Sequence, residues 1–318
     1  MKKLVSFAIP CYNSAQTILP VINEIEEEMS KTEQFDYEIV TAVDGSPDNV
    51  YDVLTAIANY NDKVKVVNLA KNFGQANARM ATLRYTKGDY IVCMDDDGQC
   101  PVNHILEMLQ PLEEGYDIAI ADYPKKKQSA FKNIGSNFNK LTARVLLDVP
   151  KEFRFSNFFV MKRFLTNQVL EYTNPYPYME GLISQSTRNI AYVPMEERER
   201  ISGDTGYTLK KLVGLWLNGL TAFSVKPLRI SSVVGMICAI LGFIFGIVTV
   251  IRKLVIPDIS VGWSSTVSIM LFMGGLLMLM LGMVGEYIGR IYISINNAPQ
   301  YVVRQTLNVE DSTKSKLS

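Results

Sequence analysis

Three consecutive aspartates, Asp95, Asp96 and Asp97, follow the apolar run at residues 90–94 and precede a proline-started segment at residues 101–110. The run reads as a buried parallel strand and the later segment as a helix. Carboxylates at the C-terminal end of such a strand lie at the crevice where open α/β sheets bind ligands. Asp95 and Asp97 can together hold one hard divalent cation while that cation also holds a phosphate oxygen. This chemistry suits a nucleotide-diphosphate leaving group. The same pattern also suits an acidic strand end whose aspartates cap the next helix. Two further polar stretches follow apolar runs, Pro10-Cys-Tyr-Asn13 and Asp44-Gly-Ser-Pro-Asp48. Arg198 and Arg200 alternate, so an extended chain turns both to one face. Paired guanidiniums suit phosphate recognition, and equally an ion-pair ladder with the neighbouring glutamates. Lys125, Lys126, Lys127 and Lys132 mark either a solvated basic loop or a flap that binds an anion.

Apolar runs at residues 5–9, 37–43, 64–69, 90–94 and 116–121 predict strands, and the amphipathic segment 14–29 and the segment from Gln75 to residue 86 predict helices between them. Strands alternating with helices at this spacing predict a parallel sheet with right-handed crossovers. The strand ends at Pro10–Asn13, Asp44–Asp48 and Asp95–Asp97 then fall along one edge, an arrangement that suits a nucleotide. No G-x-G-x-x-G and no phosphate loop with a lysine is present, which argues against a dinucleotide cofactor or an ATPase. Beyond residue 121 the pattern predicts a helix over 133–147, a strand over 155–161, a helix over 175–187 and a strand over 190–194. Residues 209–223 place Leu209, Leu212, Val213, Trp216, Leu217 and Leu220 on one face, as in a helix lying at a membrane surface.

Lys+Arg and Asp+Glu balance at 32 each, so no global basic field points to nucleic acid. Cys11, Cys93, Cys100 and Cys238 show no metal-type spacing, and a reduced cytoplasmic setting without disulfides is expected. The apolar run at residues 4–9 is too short for a secretory signal and leads straight into Pro10. Residues 230–251 and 259–285 carry no charge. Each stretch exceeds the roughly 20 residues a helix needs to cross a bilayer. The basic residues Lys210, Lys211, Lys226, Arg229, Arg290 and Arg304 flank the pair, against Arg252 and Lys253 in the connector. The positive-inside rule therefore predicts both termini in the cytoplasm.

These motifs together resemble inverting family-two glycosyltransferases of the polyprenyl-phosphate type. The likeness runs from about Val5 to Val303. Pro10-Cys-Tyr-Asn13 is similar to P-x-Y-N, Asp44-Gly-Ser-Pro-Asp48 to D-D-G-S-x-D, and Asn72-Phe-Gly74 to N-F/Y-G. Asp95-Asp-Asp-Gly-Gln99-Cys-Pro resembles D-A-D-L-Q-D-P, and Arg200-Ile-Ser-Gly-Asp-Thr-Gly-Tyr207 resembles R-x-x-G-x-S-x-Y. Phe223-Ser-Val-Lys-Pro-Leu-Arg229 and Gly285-Glu-Tyr-Ile-Gly-Arg290 are similar to the segments flanking the two spans of the lipid-phosphate branch.

The resemblance implies an α/β domain of GT-A type at residues 1–205, an interfacial helix at 206–229, a two-helix anchor at 230–285 and a cytoplasmic tail at 286–318. It implies transfer from a nucleotide-diphosphate sugar, expected to be UDP-linked, to undecaprenyl phosphate, giving a lipid-linked sugar for the cell envelope. Pro10, Tyr12, Asn13, Asp44 and Asp96 would line the donor pocket. Asp95, Asp97 and Gln99 would hold Mg²⁺ or Mn²⁺. Lys132, Ser136, Arg198 and Arg200 would bind the lipid phosphate or the diphosphate, with Asp97, Asn157 and Arg200 closest to the chemistry. A homo-oligomer, tetrameric in relatives of this type, is implied as well. Three positions depart from the family pattern. Val43 and Cys100 stand where it has acids or an amide, and Ser156-Asn157-Phe158-Phe159 stands for G-D-F-R. Asn157 is then expected to position the acceptor by hydrogen bonding. A membrane glycosyltransferase with another acceptor, and a membrane scaffold that lost the chemistry, are the competing expectations.

Overall fold

The computed structural model describes residues 2–123, 153–196, 198, 226–255, 262–296 and 299–309. The described residues fall in two compact units. The first holds the described residues as far as 198 together with 299–309, and the second holds two long helices.

The first unit is built on an eight-stranded sheet. Its strands are β1 (Lys3–Cys11), β2 (Phe35–Val43), β3 (Val64–Leu69), β4 (Tyr90–Cys93), β5 (Ile118–Asp122), β6 (Phe159–Lys162), β7 (Ile190–Pro194) and β8 (Val303–Leu307), in the order β7-β5-β6-β4-β1-β2-β3-β8. β1 is buried from Val5 to Cys11 without alternation, as a strand covered on both faces must be. On one face Phe7, Ile9 and Ile39 pack against α1 (Ile18–Ser30), α2 (Val50–Ala58) and α4 (Ile105–Glu113). On the other, Val40, Ala42, Val67 and Leu69 pack against Ala78 and Ala81 of α3 (Gln75–Tyr85). Two shorter helices follow β6, α5 (Arg163–Leu170) and α6 (Met179–Ser186).

The sheet is mixed, where the spacing of the elements predicts a parallel one. β1 pairs in parallel with β2 and β4, β2 with β3, and β5 with β7. β6 runs antiparallel to both β4 and β5, and β8 antiparallel to β3. The reversal at β6 matters for the site. Phe159 at its start pairs with Cys93 at the end of β4, so the residues entering β6 arrive beside the aspartates leaving β4. Phe159 itself is fully buried and tilts onto Phe155, ring centroids 5.2 Å apart. A core position explains why an aromatic ring is accommodated there in place of an arginine.

The segment set apart as a tail also differs from expectation. β8 closes the free edge of β3, so the chain returns to the first sheet after its last long helix. The return is stitched by polar groups. Ala70 N–H donates to Val302 O at 2.8 Å, Arg304 Nη2 donates to Ala70 O at 3.0 Å, and the Gln305 amide reaches the Tyr51 hydroxyl. Asn308, at φ +55°, donates from Nδ2 to Ala58 O at 2.7 Å and Val64 O at 3.0 Å. Asparagine tolerates this left-handed backbone better than most residues. Asn308→Ala is expected to destabilise the first unit by roughly 1–3 kcal/mol, because two carbonyls lose their donor. Thermal unfolding of the detergent-solubilised protein measures it.

The second unit contains α7 (Lys226–Val255) and α8 (Trp263–Ile295). α7 outruns its charge-free stretch at both ends, and α8 runs from within its stretch past the end of it. Ser231–Thr249 has mean hydropathy 2.4 and Phe272–Gly289 has 1.5, and both are long and apolar enough to cross a membrane. A Cβ at Gly235 would lie 2.9 Å from Met280 Cε, so glycine there lets a bulky side chain of α8 approach α7. The expected helices at 133–147 and 209–223 lie outside the described residues.

Candidate active site

β1 lies between β2 and β4, and the chain order reverses there. That is the switch point at which sheets of this kind open a crevice beyond the strand ends. The ends of β1 to β4 deliver Tyr12 and Asn13, Asp44, Asn72 to Gly74, and Asp95 to Asp97 to this edge. Three hydrogen-bond systems knit them together.

The first joins β1 to β4. Tyr12 N–H donates to Asp96 Oδ2 at 3.0 Å. Asn13 takes φ +60° and donates its N–H to Ser46 Oγ at 2.8 Å. The turn thrusts the Tyr12 ring outward, 49% exposed, while Pro10 remains inside β1 and Cys11 in the core. Burial pushes the Asp96 carboxyl up to about 6, against the pull of the Tyr12 amide. Asp96 thus braces the β1 turn.

The second joins β2 to the loop after β3. Asp44 is almost fully buried and accepts Phe73 N–H at 2.7 Å on one oxygen and Gly74 N–H at 2.8 Å on the other. Burial raises its carboxyl above the ordinary value, with the two amides acting the other way. Gly45, at φ +57°, fits only because it lacks a side chain, since a Cβ would sit 2.4 Å from Asn72 N. Asp44 therefore shapes the Asn72–Gly74 loop. Ser46 and Asp48 continue the system, with Asp48 accepting Ala15 N–H at 2.8 Å.

The third centres on Asp95. Gln75 Nε2 and Arg79 Nη2 both donate to its Oδ1 at 2.8 Å, and Asn157 Nδ2 donates to its Oδ2 at 2.9 Å. Arg79 Nη1 also reaches Asn157 Oδ1 at 3.4 Å. The Asn157 amide, expected to position the acceptor by hydrogen bonding, here bonds Asp95 and Arg79. Arg79 and Gln75 are site residues that the sequence reading leaves out. Their signal is the i,i+4 spacing at the start of α3, which puts both on one helix face.

Asp97 follows Asp96, is succeeded by Gly98 at φ +77°, and accepts Gln99 N–H at 3.1 Å. Gln99 Nε2 donates to Arg198 O at 3.3 Å, and Arg198 N–H donates back to Gln99 O at 3.3 Å. The Arg198 backbone therefore belongs to this edge. Its guanidinium is drawn away, to Glu24 of α1 at 2.7 Å and to Asn103. Among the described residues its ion-pair partner is Glu24 of α1. Cys100 is buried, so the residue standing for an outer acid belongs to the core. Val43 is buried too. Lys132, Ser136 and Arg200 lie outside the described residues. All four cysteines are unpaired.

Comparison with known proteins adds independent evidence. Residues 6–170 match the profile "Glycosyl transferase family 2", and residues 226–291 match "GtrB C-terminal hairpin". The uncharacterized glycosyltransferase YkcC of Bacillus subtilis is 32% identical over 96% of this chain and 95% of its own. The undecaprenyl-phosphate 4-deoxy-4-formamido-L-arabinose transferase of Yersinia enterocolitica is 30% identical, over 99% of this chain and 97% of its own. A glucosyl-3-phosphoglycerate synthase from Mycobacterium tuberculosis, solved with Mn²⁺, UDP-glucose and phosphoglyceric acid, is 18% identical. It covers 68% of this chain and 76% of its own at TM-score 0.51, a likeness of fold alone. With the profile running through the strand-end aspartates and relatives of 30% and 32% identity over nearly the full chain, this chain has the GT-A fold and belongs to glycosyl transferase family 2.

Proposed function

We propose that this glycosyltransferase moves a sugar from a UDP-sugar to undecaprenyl phosphate, with inversion at the anomeric carbon. The observation that carries the reading is one chain joining an aspartate-bearing crevice to a hairpin of two membrane-length helices. A soluble acceptor needs no such hairpin, whereas a polyprenyl phosphate presents its phosphate at a membrane surface. The Yersinia relative carries undecaprenyl phosphate in its name, and the mycobacterial neighbour holds UDP-glucose with Mn²⁺.

Asp95, Asp97 and Gln99 offer only oxygen atoms of carboxylates and an amide, a hard donor set suited to Mg²⁺ or Mn²⁺. Among the described residues no three His, Cys, Asp or Glu side chains gather into a cage. The cation would therefore share its coordination with the diphosphate of the donor. When bound, it supplies charge neutralisation for the leaving diphosphate. The exposed Tyr12 ring offers a face for the base, beside Pro10, Asn13 and the loop shaped by Asp44.

An acceptor phosphate monoester has a second pKa of about 6 and is ionised at neutral pH. It needs no general base, so an amide at Asn157 is compatible with catalysis. What remains is to hold two anions in line, the role proposed for Lys132, Ser136 and Arg200. Attack on the anomeric carbon from the face opposite the diphosphate inverts that centre.

The return of β8 supports the topology. β1 to β7 precede the hairpin and β8 follows it, yet all belong to one sheet. A bilayer cannot divide a sheet, so this pairing favours two spans that leave and re-enter one compartment. The flanking basic residues favour the cytoplasm as that compartment.

The test is transfer from a panel of labelled nucleotide sugars to undecaprenyl phosphate in detergent, with Mn²⁺ and with EDTA. A lipid-linked product from one UDP-sugar, lost with EDTA, is expected. Donor hydrolysis without lipid product would point to another acceptor. Neither hydrolysis nor transfer from any donor would favour a scaffold.

A further inference from the structure

Arg79 is a buried guanidinium, 5% exposed, placed behind the strand-end aspartates and left without a role by the reading above. Among the described residues its Nε has no acceptor, and its two Nη groups make its polar contacts there, to Asp95 and Asn157. Arg79, Asp95 and Asn157 form a closed ring. Asn157 donates to Asp95 from one end of its amide and accepts from Arg79 at the other. A carboxylate at position 157 would face Asp95 Oδ2 with no proton to offer. The amide is therefore the group of this size that completes the ring.

The ring bears on the role of Asp95. Both of its oxygens are engaged by three side-chain N–H donors from Gln75, Arg79 and Asn157. Turning Asp95 towards a cation would strip a buried guanidinium of its counter-charge, which is strongly unfavourable. The guanidinium would also repel that cation. We infer that Arg79 is a positioning residue that commits Asp95 to the protein, so that the cation accompanying the donor diphosphate is taken through Asp97. This rests on the nucleotide-sugar reading and deepens it. Asp95 and Asn157 then act as a rigid support for the Asp97 loop.

The experiment uses the full chain in detergent, Mn²⁺ and UDP. Mn²⁺ binding is followed by electron paramagnetic resonance, turnover by transfer to undecaprenyl phosphate, and folding by thermal unfolding. Arg79→Met is expected to bind Mn²⁺ more tightly, by roughly threefold or more, because it frees a carboxylate and removes a repelling charge. Its turnover is expected to fall roughly 10- to 100-fold, the usual cost of losing a supporting partner at a metal site. A residue that merely held the fold would weaken both. Adding Asp95→Asn to Arg79→Met is expected to bring Mn²⁺ affinity back to the wild-type value.

Unchanged or weaker Mn²⁺ binding in folded Arg79→Met overturns the inference. So does loss of Mn²⁺ binding in the double variant to the level of Asp97→Ala. The double variant leaves no unpaired charge, so it keeps the test open if Arg79→Met does not fold. Failure of the wild type to bind Mn²⁺ with UDP would instead remove the donor reading, and this inference with it.

Discussion

Asp97→Ala is expected to lower transfer from the nucleotide sugar by on the order of 10³-fold, while the protein unfolds within a few degrees of the wild type. Two features of the strand end single this residue out. Asp95 is engaged on both oxygens by Gln75, Arg79 and Asn157. Asp96 points back to the Tyr12 amide and supports the turn after β1. Asp97 stands just before Gly98 on the loop leaving β4, partly exposed, where a diphosphate at the switch point would lie. In the proposed mechanism, losing its carboxylate removes the group that would hold the cation against the leaving charge. Because Asp97 is not in the core, the loss falls on the chemistry and little on the fold. Transfer assayed beside thermal unfolding separates the two, and Asp97→Ala that keeps wild-type turnover would refute the assignment. EDTA on the wild type should reproduce the deficit, and added Mn²⁺ should reverse it only where Asp97 is intact.

Gly45→Ala is expected to cost on the order of 3 kcal/mol, near the top of the range for overpacking and for left-handed strain. The new Cβ would meet Asn72 N and Lys71 C at 2.4 Å, atoms of backbone that cannot swing aside. The φ of +57° adds strain of its own. Relief requires the Asn72–Gly74 loop to move outward, which would pull the Phe73 and Gly74 amides off Asp44. Asp44→Ala attacks the same clamp from the other side. It leaves two partly buried N–H groups without their acceptor, at about 1 kcal/mol or more each. The two effects should not add, because both break one contact. A melting temperature for the double variant equal to the sum of the single losses would show that the clamp is not a unit. The loop forms part of the donor edge, so weaker UDP binding should accompany the loss of stability.

The elements that were readable along the chain are those whose signal is local. β3 and β7 coincide with their apolar runs, although β3 carries the partly buried Lys65 and Asn68 and β7 fully buries only Val193. The two long helices were legible from uncharged length alone. The aspartates at the end of β4 were legible because a run of charge stopping an apolar run has few structural uses. Even so, the roles of the three acids were not distinguishable from their order.

What the tertiary structure decided concerns partners far apart in sequence. β8 is a short, mixed polar strand with two exposed positions, so no apolar run announces it. Its pairing depends on the free edge of β3, more than 200 residues away. The reversal of β6 is likewise a matter of pairing, since a short strand reads the same in either direction. Arg198 lies beside glutamates in the chain and pairs with Glu24 in space. Arg79 reads as one polar residue on a helix until folding brings Asp95 and Asn157 within reach. Apolar periodicity records burial, which each segment carries in its own residues. The partner of a charge depends on which strand ends the sheet brings together, and that is set only when the sheet closes.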